Sequence, residues 1–476
     1  MLLVGVVVFA VAIAGYVIYA VIHPENFTLD PVDLAVYRSG GMIVRHVAPL
    51  YNSHLKAPLY DWVGYGKLHL QFTYTPFAAL AFAIISFVPW WLTQQLSVAV
   101  NMIALLAALW LTLGGLGYRR GPVRLGATLL GAGVVFWTEP VMRTMYLGQV
   151  NLVLMALIIW DLCQPDTPNS RWWKGFGTGV AAGIKLVPLI FIPYLLVAGK
   201  FRQAVMAAAG FVFTVLLGFV ILPADSSKWW FGGLFVQGGR TGFVGWAGNQ
   251  SLEGLITRLD GSANGAKPIW LVVAALVAIA GSAGAGLLDR KGYPLPALLM
   301  AALTGLLVSP VSWDHHWVWI APGVLVIGHY AVQAWRQGNS QHARRAAWGL
   351  GLSAAAIVLW FSAWPARLFT SVNNLGHDSL GLIWIPKNTE PYWYDWYGDR
   401  PWFPEYHWHG LQLIAGNAYV LAGLAAFAVM LAIAVLLPGE TSGTGGTGGT
   451  GGTKEIDDEP GRSQGSLRGR LRLPAA

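Results

Sequence analysis

Residues 1–22 carry no charged side chain. At 1.5 Å of rise per residue, a helix over them reaches across the ~30 Å apolar core of a bilayer. It is followed by Asp30-Pro31-Val32-Asp33-Leu34-Ala35-Val36-Tyr37-Arg38, which sets two carboxylates just outside a membrane. The run has no basic n-region and no small-x-small cleavage site, so it reads as a retained anchor and not as a signal peptide. Asp30 suits a turn or helix start, as Asp-Pro commonly does. Asp33 falls in the first turn of an amphipathic surface helix marked by Leu34, Val36, Tyr37, Met42, Ile43 and Val44. There it can complement the helix dipole or act on a group in the aqueous phase.

Charge-poor runs recur throughout. Of 476 residues, 55% are hydrophobic and 11% charged, so an all-α polytopic membrane protein is the expected class. Spans are expected at 1–22, 94–116, 123–139, 148–163, 174–185, 187–199, 203–222, 268–288, 294–309, 316–335, 346–363 and 412–437, twelve in all. The stretch 76–91 reads as a surface or re-entrant helix, from its Thr75-Pro76 start and its Pro89-Trp90-Trp91 end. If it crossed, the basic loop 118–124 would move to the Asp33 side. With 76–91 on the surface, Arg119, Arg120, Arg124, Arg171, Lys174, Lys200, Arg202, Arg290, Lys291, Arg336, Arg344, Arg345 and the tail from Lys454 share one face. By the positive-inside rule that face is cytoplasmic. The net charge of +8 then reports orientation, and no nucleic-acid partner is expected.

One transmembrane domain, 1–437, is therefore expected in a plasma membrane, with both termini cytoplasmic. Its outer loops are 23–93, 139–147, 223–267, 310–315 and 364–411, long and rich in Trp, Tyr, His, Asn and Gln. Residues 438–476, Gly and Thr repeats followed by mixed charges, read as a disordered cytoplasmic tail. The single cysteine, Cys163, excludes an intrachain disulfide framework. The helices show no internal repeat, which weighs against an inverted-repeat transporter. There is no Gly-x-Ser-x-Gly elbow, HExxH or P-loop, and no nucleotide or cofactor is expected.

Polar constellations gather on the outer face. Ser309-Pro310-Val311-Ser312-Trp313-Asp314-His315-His316 opens a span, where free N–H groups and the helix dipole favour an anion such as phosphate. His315 and His316 can hold it, or they can belong to an interfacial belt capped by Asp314. Adjacent helical positions point ~100° apart, so one metal bound by both is not expected. Gln149 and Asn151 in Leu147-Gly148-Gln149-Val150-Asn151, and Asn249 and Gln250 in Asn249-Gln250-Ser251, suit either sugar hydroxyls or helix capping and bundle contacts. Lys185, in an apolar stretch broken at Lys185-Leu186-Val187-Pro188, needs a partner or an anionic ligand. The aromatic run from Trp393 to Trp402, with Tyr406, His407, Trp408 and His409, can stack on sugars or anchor a loop. The acids Asp30, Asp33, Asp61 and Glu139 do not form a paired metal cage, and no metal is expected.

Six stretches, taken in order, resemble the motif series of the actinobacterial polyprenol-phosphate-mannose-dependent α-1,2-mannosyltransferases, especially those acting on phosphatidylinositol mannosides. They are Asp33 to Tyr37, Phe72-Thr73-Tyr74-Thr75-Pro76, Leu147 to Asn151, Lys185 to Pro188, Asn249 to Ser251 and Ser309 to His316, and the resemblance covers residues 1–437. It implies a C-type glycosyltransferase fold, an active site on the outer face, a polyprenyl-phosphate mannose donor and a phosphatidylinositol mannoside acceptor, with membrane lipids around it. It also implies an essential acid at Asp33, with Asp61 as the competing candidate. His315, His316, Lys185 and Arg38 would serve the donor phosphate. Gln149, Asn151, Asn249, Gln250 and Trp313 would serve the sugars and the acceptor. An arabinosyltransferase using decaprenyl-phosphate-arabinose, a lipid-linked sugar transporter and a non-catalytic scaffold for cell-wall assembly are the competing readings.

Overall fold

The computed structural model describes residues 1–22, 31–51, 71–164, 172–338, 340–362, 379–380, 383–384 and 404–437. Asp30, Asp61, Arg171, the aromatic run 393–402 and the tail from 438 lie outside the described residues. Five helices are long and apolar enough to cross a membrane: Trp90–Gly115, Phe201–Ile221, Ala263–Arg290, Asp314–Arg336 and Ala418–Leu436. A sixth arises if Glu139–Leu147 and Asn151–Leu162, bent by 115° from each other, form one broken span. These helices make a multi-pass membrane protein.

Twelve full crossings are not found among the described helices. Pro122–Phe136 and Pro294–Val308 have 15 residues each, a rise of only ~22 Å. The apolar run 174–199 folds as Phe176–Ile184, the 3-10 turn Val187–Ile190 and Phe191–Val197. The chain breaks where Lys185 and Pro188 interrupt the pattern, and neither half alone reaches across a bilayer. The first span is helical over Leu2–Ile22. It lies against Pro122–Phe136 so closely that a Cβ on Gly5 would stand 2.0 Å from the Gly126 carbonyl oxygen, the small-residue contact that membrane helices use.

Residues 31–51 and 71–87 contribute a separate layer. The amphipathic helix Val32–Arg45 buries Leu34, Ala35, Val36, Tyr37 and Ile43. The stretch after Thr75 folds as Pro76–Phe82 and a 3-10 turn Ile84–Phe87, too short to cross. Thr75 caps it, accepting the Ala78 N–H at 3.1 Å, with Pro76 at the first helical position as the Thr-Pro pair leads one to expect. The Thr75 hydroxyl also donates to the Gly183 carbonyl, which ties this layer to the break at Lys185. Leu34, Tyr37, Tyr51, Phe72, Phe82 and Trp229 close into a small apolar core of their own. Two short helices that the hydropathy pattern does not mark, Pro223–Trp230 and Leu252–Asp260, complete the same face.

Candidate active site

A cleft of ≈ 180 Å³ lies where the first-loop layer meets the helix breaks, and Asp33, Tyr74, Gln149, Lys185, Trp313 and His316 are on its walls. Arg240, Gln237 and Trp229 line it from the side of the 223–241 segment. Three chain breaks bring these residues together. Gly148 ends Glu139–Leu147 in the left-handed region at φ +68°, and a Cβ there would stand 2.6 Å from the Leu34 Cβ. The Asp33 helix can thus rest on the Gln149 turn only because that position has no side chain. Gly148→Ala is expected to lower the unfolding free energy by about 1–3 kcal/mol, through backbone strain and the displaced Leu34. A thermal melt of the purified protein checks this.

Asp33 is half-buried in the first turn of its helix, and the helix N-cap carries no side-chain hydrogen bond. Among the described residues Asp33 accepts no hydrogen bond, so it is not serving as a cap. Around it the phenols of Tyr37 and Tyr74 are in contact at 3.0 Å. Burial, more than the nearby Asp33 carboxylate, pushes both phenols well above the usual tyrosine range, so both stay protonated. Tyr37 donates to Gln149 Oε1.

Lys185 emerges from the break after Ile184 and is surrounded by neutral acceptors. Its Nζ donates to Asn151 Oδ1 at 2.6 Å and Gln149 Oε1 at 3.1 Å, and lies 3.3 Å from His316 Nε2. With the ammonium as donor, His316 accepts at Nε2 and its ring proton sits on Nδ1. Lys185 lies on the cleft wall, and among the described residues no carboxylate is in hydrogen-bond contact with it. A second cavity of ≈ 60 Å³ shares Lys185 and His316 with the first and is otherwise mostly apolar, with Leu154, Met155, Ile158, Phe191, Leu306 and Trp319 on its walls.

The two histidines separate. Asp314–Trp319 is a 3-10 turn, in which successive side chains diverge by ~120°, and the two rings stand at 90°. His316 faces the cleft. His315 is buried, with Nδ1 3.0 Å from Asp314 Oδ1, and its carbonyl accepts Thr144 Oγ1 at 2.9 Å and Asn151 Nδ2 at 2.8 Å. Asp314 is paired with Arg143 at 2.8 Å, and Arg143 approaches Glu139 at 3.6 Å. Tyr419 donates to that same Glu139 carboxylate. This chain of charges fixes the 309–316 turn to the bent helix pair.

Other expected site residues are not on the walls of the main cleft. Arg38 donates to the Val88 carbonyl at 2.9 Å and lies 5.9 Å from the Trp90 ring centre. Asn249 receives Ser312 N–H at 2.9 Å and donates to Val244 and Pro310 carbonyls. Gln250 donates to Gly416 O at 2.8 Å and accepts Tyr419 and Val420 N–H groups. Asn151 bridges Lys185 to the His315 carbonyl. These four satisfy other groups of the fold, because buried backbone away from regular structure must find partners. Arg258, which no motif marks, has the same use: fully buried, it donates to Asn417 Oδ1 and to the Gly245, Trp246 and Asn249 carbonyls.

Arg240 and Tyr74 are cleft residues absent from the expected set. Tyr74 lies within the Phe72 to Pro76 motif, whereas Arg240 sits in an irregular segment with no periodic signal. Among the described residues no three His, Cys, Asp or Glu side chains gather as a metal site requires.

The profile of glycosyltransferase family 87 matches residues 72–310. A polyprenol-phosphate-mannose-dependent alpha-(1-2)-phosphatidylinositol pentamannoside mannosyltransferase of Mycobacterium tuberculosis is 30% identical over 403 residues, 83% of this chain and 81% of the relative. A polyprenol-phosphate-mannose-dependent alpha-(1-2)-phosphatidylinositol mannoside mannosyltransferase of the same species is 33% identical over 321 residues, 65% and 72% of the two chains. The pentamannoside mannosyltransferase of Mycolicibacterium smegmatis is 30% identical over 423 residues, 86% and 87%. No solved structure matches.

Proposed function

The chain belongs to glycosyltransferase family 87, and from that premise we propose that it moves mannose from polyprenyl-phosphate mannose to the 2-hydroxyl of a mannose on a phosphatidylinositol mannoside. It is an enzyme of the polyprenol-phosphate-mannose-dependent mannosyltransferase type. The reading includes a C-type glycosyltransferase fold over residues 1–437, a catalytic cleft on the outer face of the plasma membrane and both termini in the cytoplasm.

The observation that carries the reading is the cleft itself. Asp33, a carboxylate that accepts no hydrogen bond among the described residues, shares it with Lys185, a cation that donates to the neutral Gln149 and Asn151. In the reaction, Asp33 accepts the proton of the acceptor 2-hydroxyl as that oxygen attacks the anomeric carbon of β-mannosyl phosphate. The bond from that carbon to the phosphate oxygen breaks, its electron pair leaves with the polyprenyl phosphate, and an α-1,2 bond forms. Lys185 and His316 face the charge that grows on the departing phosphate. The apolar cavity that shares these two residues suits the first isoprene units. Gln149, Tyr74 and Trp313 border the space for the sugars. His315, Asn151, Asn249 and Gln250 act by holding the turns on which the contact residues stand, and Arg38 holds the first-loop layer.

The test supplies the purified chain in lipid with labelled polyprenyl-phosphate mannose or polyprenyl-phosphate arabinose and a phosphatidylinositol mannoside acceptor. A labelled glycolipid with a new α-1,2 linkage, formed from the mannosyl donor alone, is expected. Transfer from the arabinosyl donor, or movement of intact donor across vesicles without product, would replace this reading.

A further inference from the structure

The mechanism leaves one charged side chain of the cleft without a task. Arg240 belongs to the 3-10 turn Gly238–Thr241 and is half-buried at the cleft wall. Its Nε donates to Gln71 Oε1 at 3.3 Å and its Nη2 to the Phe72 carbonyl at 3.1 Å. The guanidinium carbon lies 5.6 Å from the Tyr51 ring centre and 5.8 Å from that of Trp229, and these two rings stack at 5.2 Å. All of these partners are neutral, and among the described residues no carboxylate pairs with Arg240. Among the described residues two of the five N–H groups of this guanidinium are engaged, and the planar fork is the shape that binds a bidentate anion.

Burial of a cation without a counter-charge is unfavourable, and the arrangement persists only where packing and hydrogen bonds compensate for it. Among the described residues lining the cleft, Asp33 is the single carboxylate, against Lys185 and Arg240. One anionic phosphate at Lys185 and His316 would occupy the inner end, and Arg240 stands apart from it on the cleft wall with no carboxylate in contact among the described residues. We propose that Arg240, braced by Tyr51 and Trp229, binds the phosphodiester of a lipid substrate. This rests on the reaction proposed above, in which donor and acceptor each carry one such group. The acceptor is favoured as its source, because the donor phosphate already has Lys185 and His316 beside an apolar cavity. The acceptor would then be recognised at two points, its sugar hydroxyl by Asp33 and its headgroup phosphate by Arg240.

The experiment uses the full chain in lipid, as wild type, Arg240→Gln and Arg240→Lys. It measures kcat and KM for the donor, for a phosphatidylinositol mannoside and for an alkyl mannoside that lacks phosphate. Arg240→Gln is expected to raise KM for the phospholipid acceptor about 10-fold or more, the usual weight of a charge-assisted pair. The alkyl mannoside and donor KM values stay within about 2-fold, because neither needs this contact. Arg240→Lys keeps the charge, loses the planar fork and restores the acceptor KM in part, so it reads out the contact even if the Gln variant is poorly folded. A rise in donor KM with both acceptors supports the phosphodiester assignment and makes the donor its source. Unchanged KM values in both folded variants overturn the inference while the function stands. A wild type that transfers to neither acceptor overturns the function and the inference together.

Discussion

Asp33→Asn is expected to reduce mannosyl transfer by about 10²- to 10⁴-fold, the usual weight of a general base, while the protein remains folded. The fold survives this change for a local reason. Asp33 accepts no hydrogen bond among the described residues and carries no N-cap interaction, so an isosteric amide leaves no donor unsatisfied. Its contribution as an acid in the first helical turn is about 0.3–1 kcal/mol, too small to unfold a chain of this size. The argument for lost activity is chemical: an amide cannot take the proton of the attacking hydroxyl. Single-turnover transfer by variant and wild type, with a melt of each, measures both halves. Equal rates would make Asp33 a helix-dipole acid and return the role of base to Asp61.

Lys185→Met is expected to lower kcat/KM for the donor by about 10²- to 10³-fold, as removal of a single preorganised donor to a developing charge does. Methionine matches the length of the aliphatic stem, so the break between Phe176–Ile184 and Val187–Ile190 keeps its packing. Gln149 and Asn151 lose a donor each, but both border a cavity in which water can replace the ammonium. Because the phosphate gains charge as the anomeric bond breaks, the loss is expected in kcat more than in KM. Steady-state kinetics over donor concentration check this. A rise in donor KM alone would make Lys185 a uniform binding contact.

How much of this was legible in the sequence depends on whether a signal is local. Thr75-Pro76 marks a helix start with a mechanism, and Thr75 caps the helix as expected. Lys185-Leu186-Val187-Pro188 marks a break, and the chain breaks there. Gln149 and Asn151 are two residues apart in sequence, yet one lines the main cleft and the other bridges Lys185 to the His315 carbonyl. Spacing says that both are polar at a helix start and cannot say which buried backbone group each must satisfy. The histidine pair gives the same lesson: whether the turn is α or 3-10 decides which ring meets the cleft, and hydropathy is blind to that choice.

The described helices do not match twelve crossings for a related reason. Apolar runs treat 148–163 as one span and 139–147 as a loop, whereas Asn151–Leu162 has only 12 residues, too short to cross alone, and Glu139–Leu147 is itself a helix bent by 115° from it at Gly148. A glycine inside an apolar pattern is a permissive position, and only tertiary contact with Leu34 turns it into a corner. Arg240 lay beyond reach because it stands in an irregular segment, and its nearness to Asp33 depends on contacts across more than 160 residues of chain, as in its bond to Gln71. Neither periodicity nor capping chemistry reports such a contact.

The most direct test of the central claim, that Asp33 acts as base in a cleft that Lys185 and His316 complete, is donor binding measured beside transfer. Labelled polyprenyl-phosphate mannose is titrated onto wild type and Asp33→Asn in the same lipid, and single-turnover transfer to the acceptor is followed in both. The account predicts donor affinities within about 2-fold of each other, since Asp33 acts on the acceptor hydroxyl and not on the phosphate, together with near-complete loss of transfer in the variant. Transfer at the wild-type rate by a folded, donor-binding Asp33→Asn would contradict it.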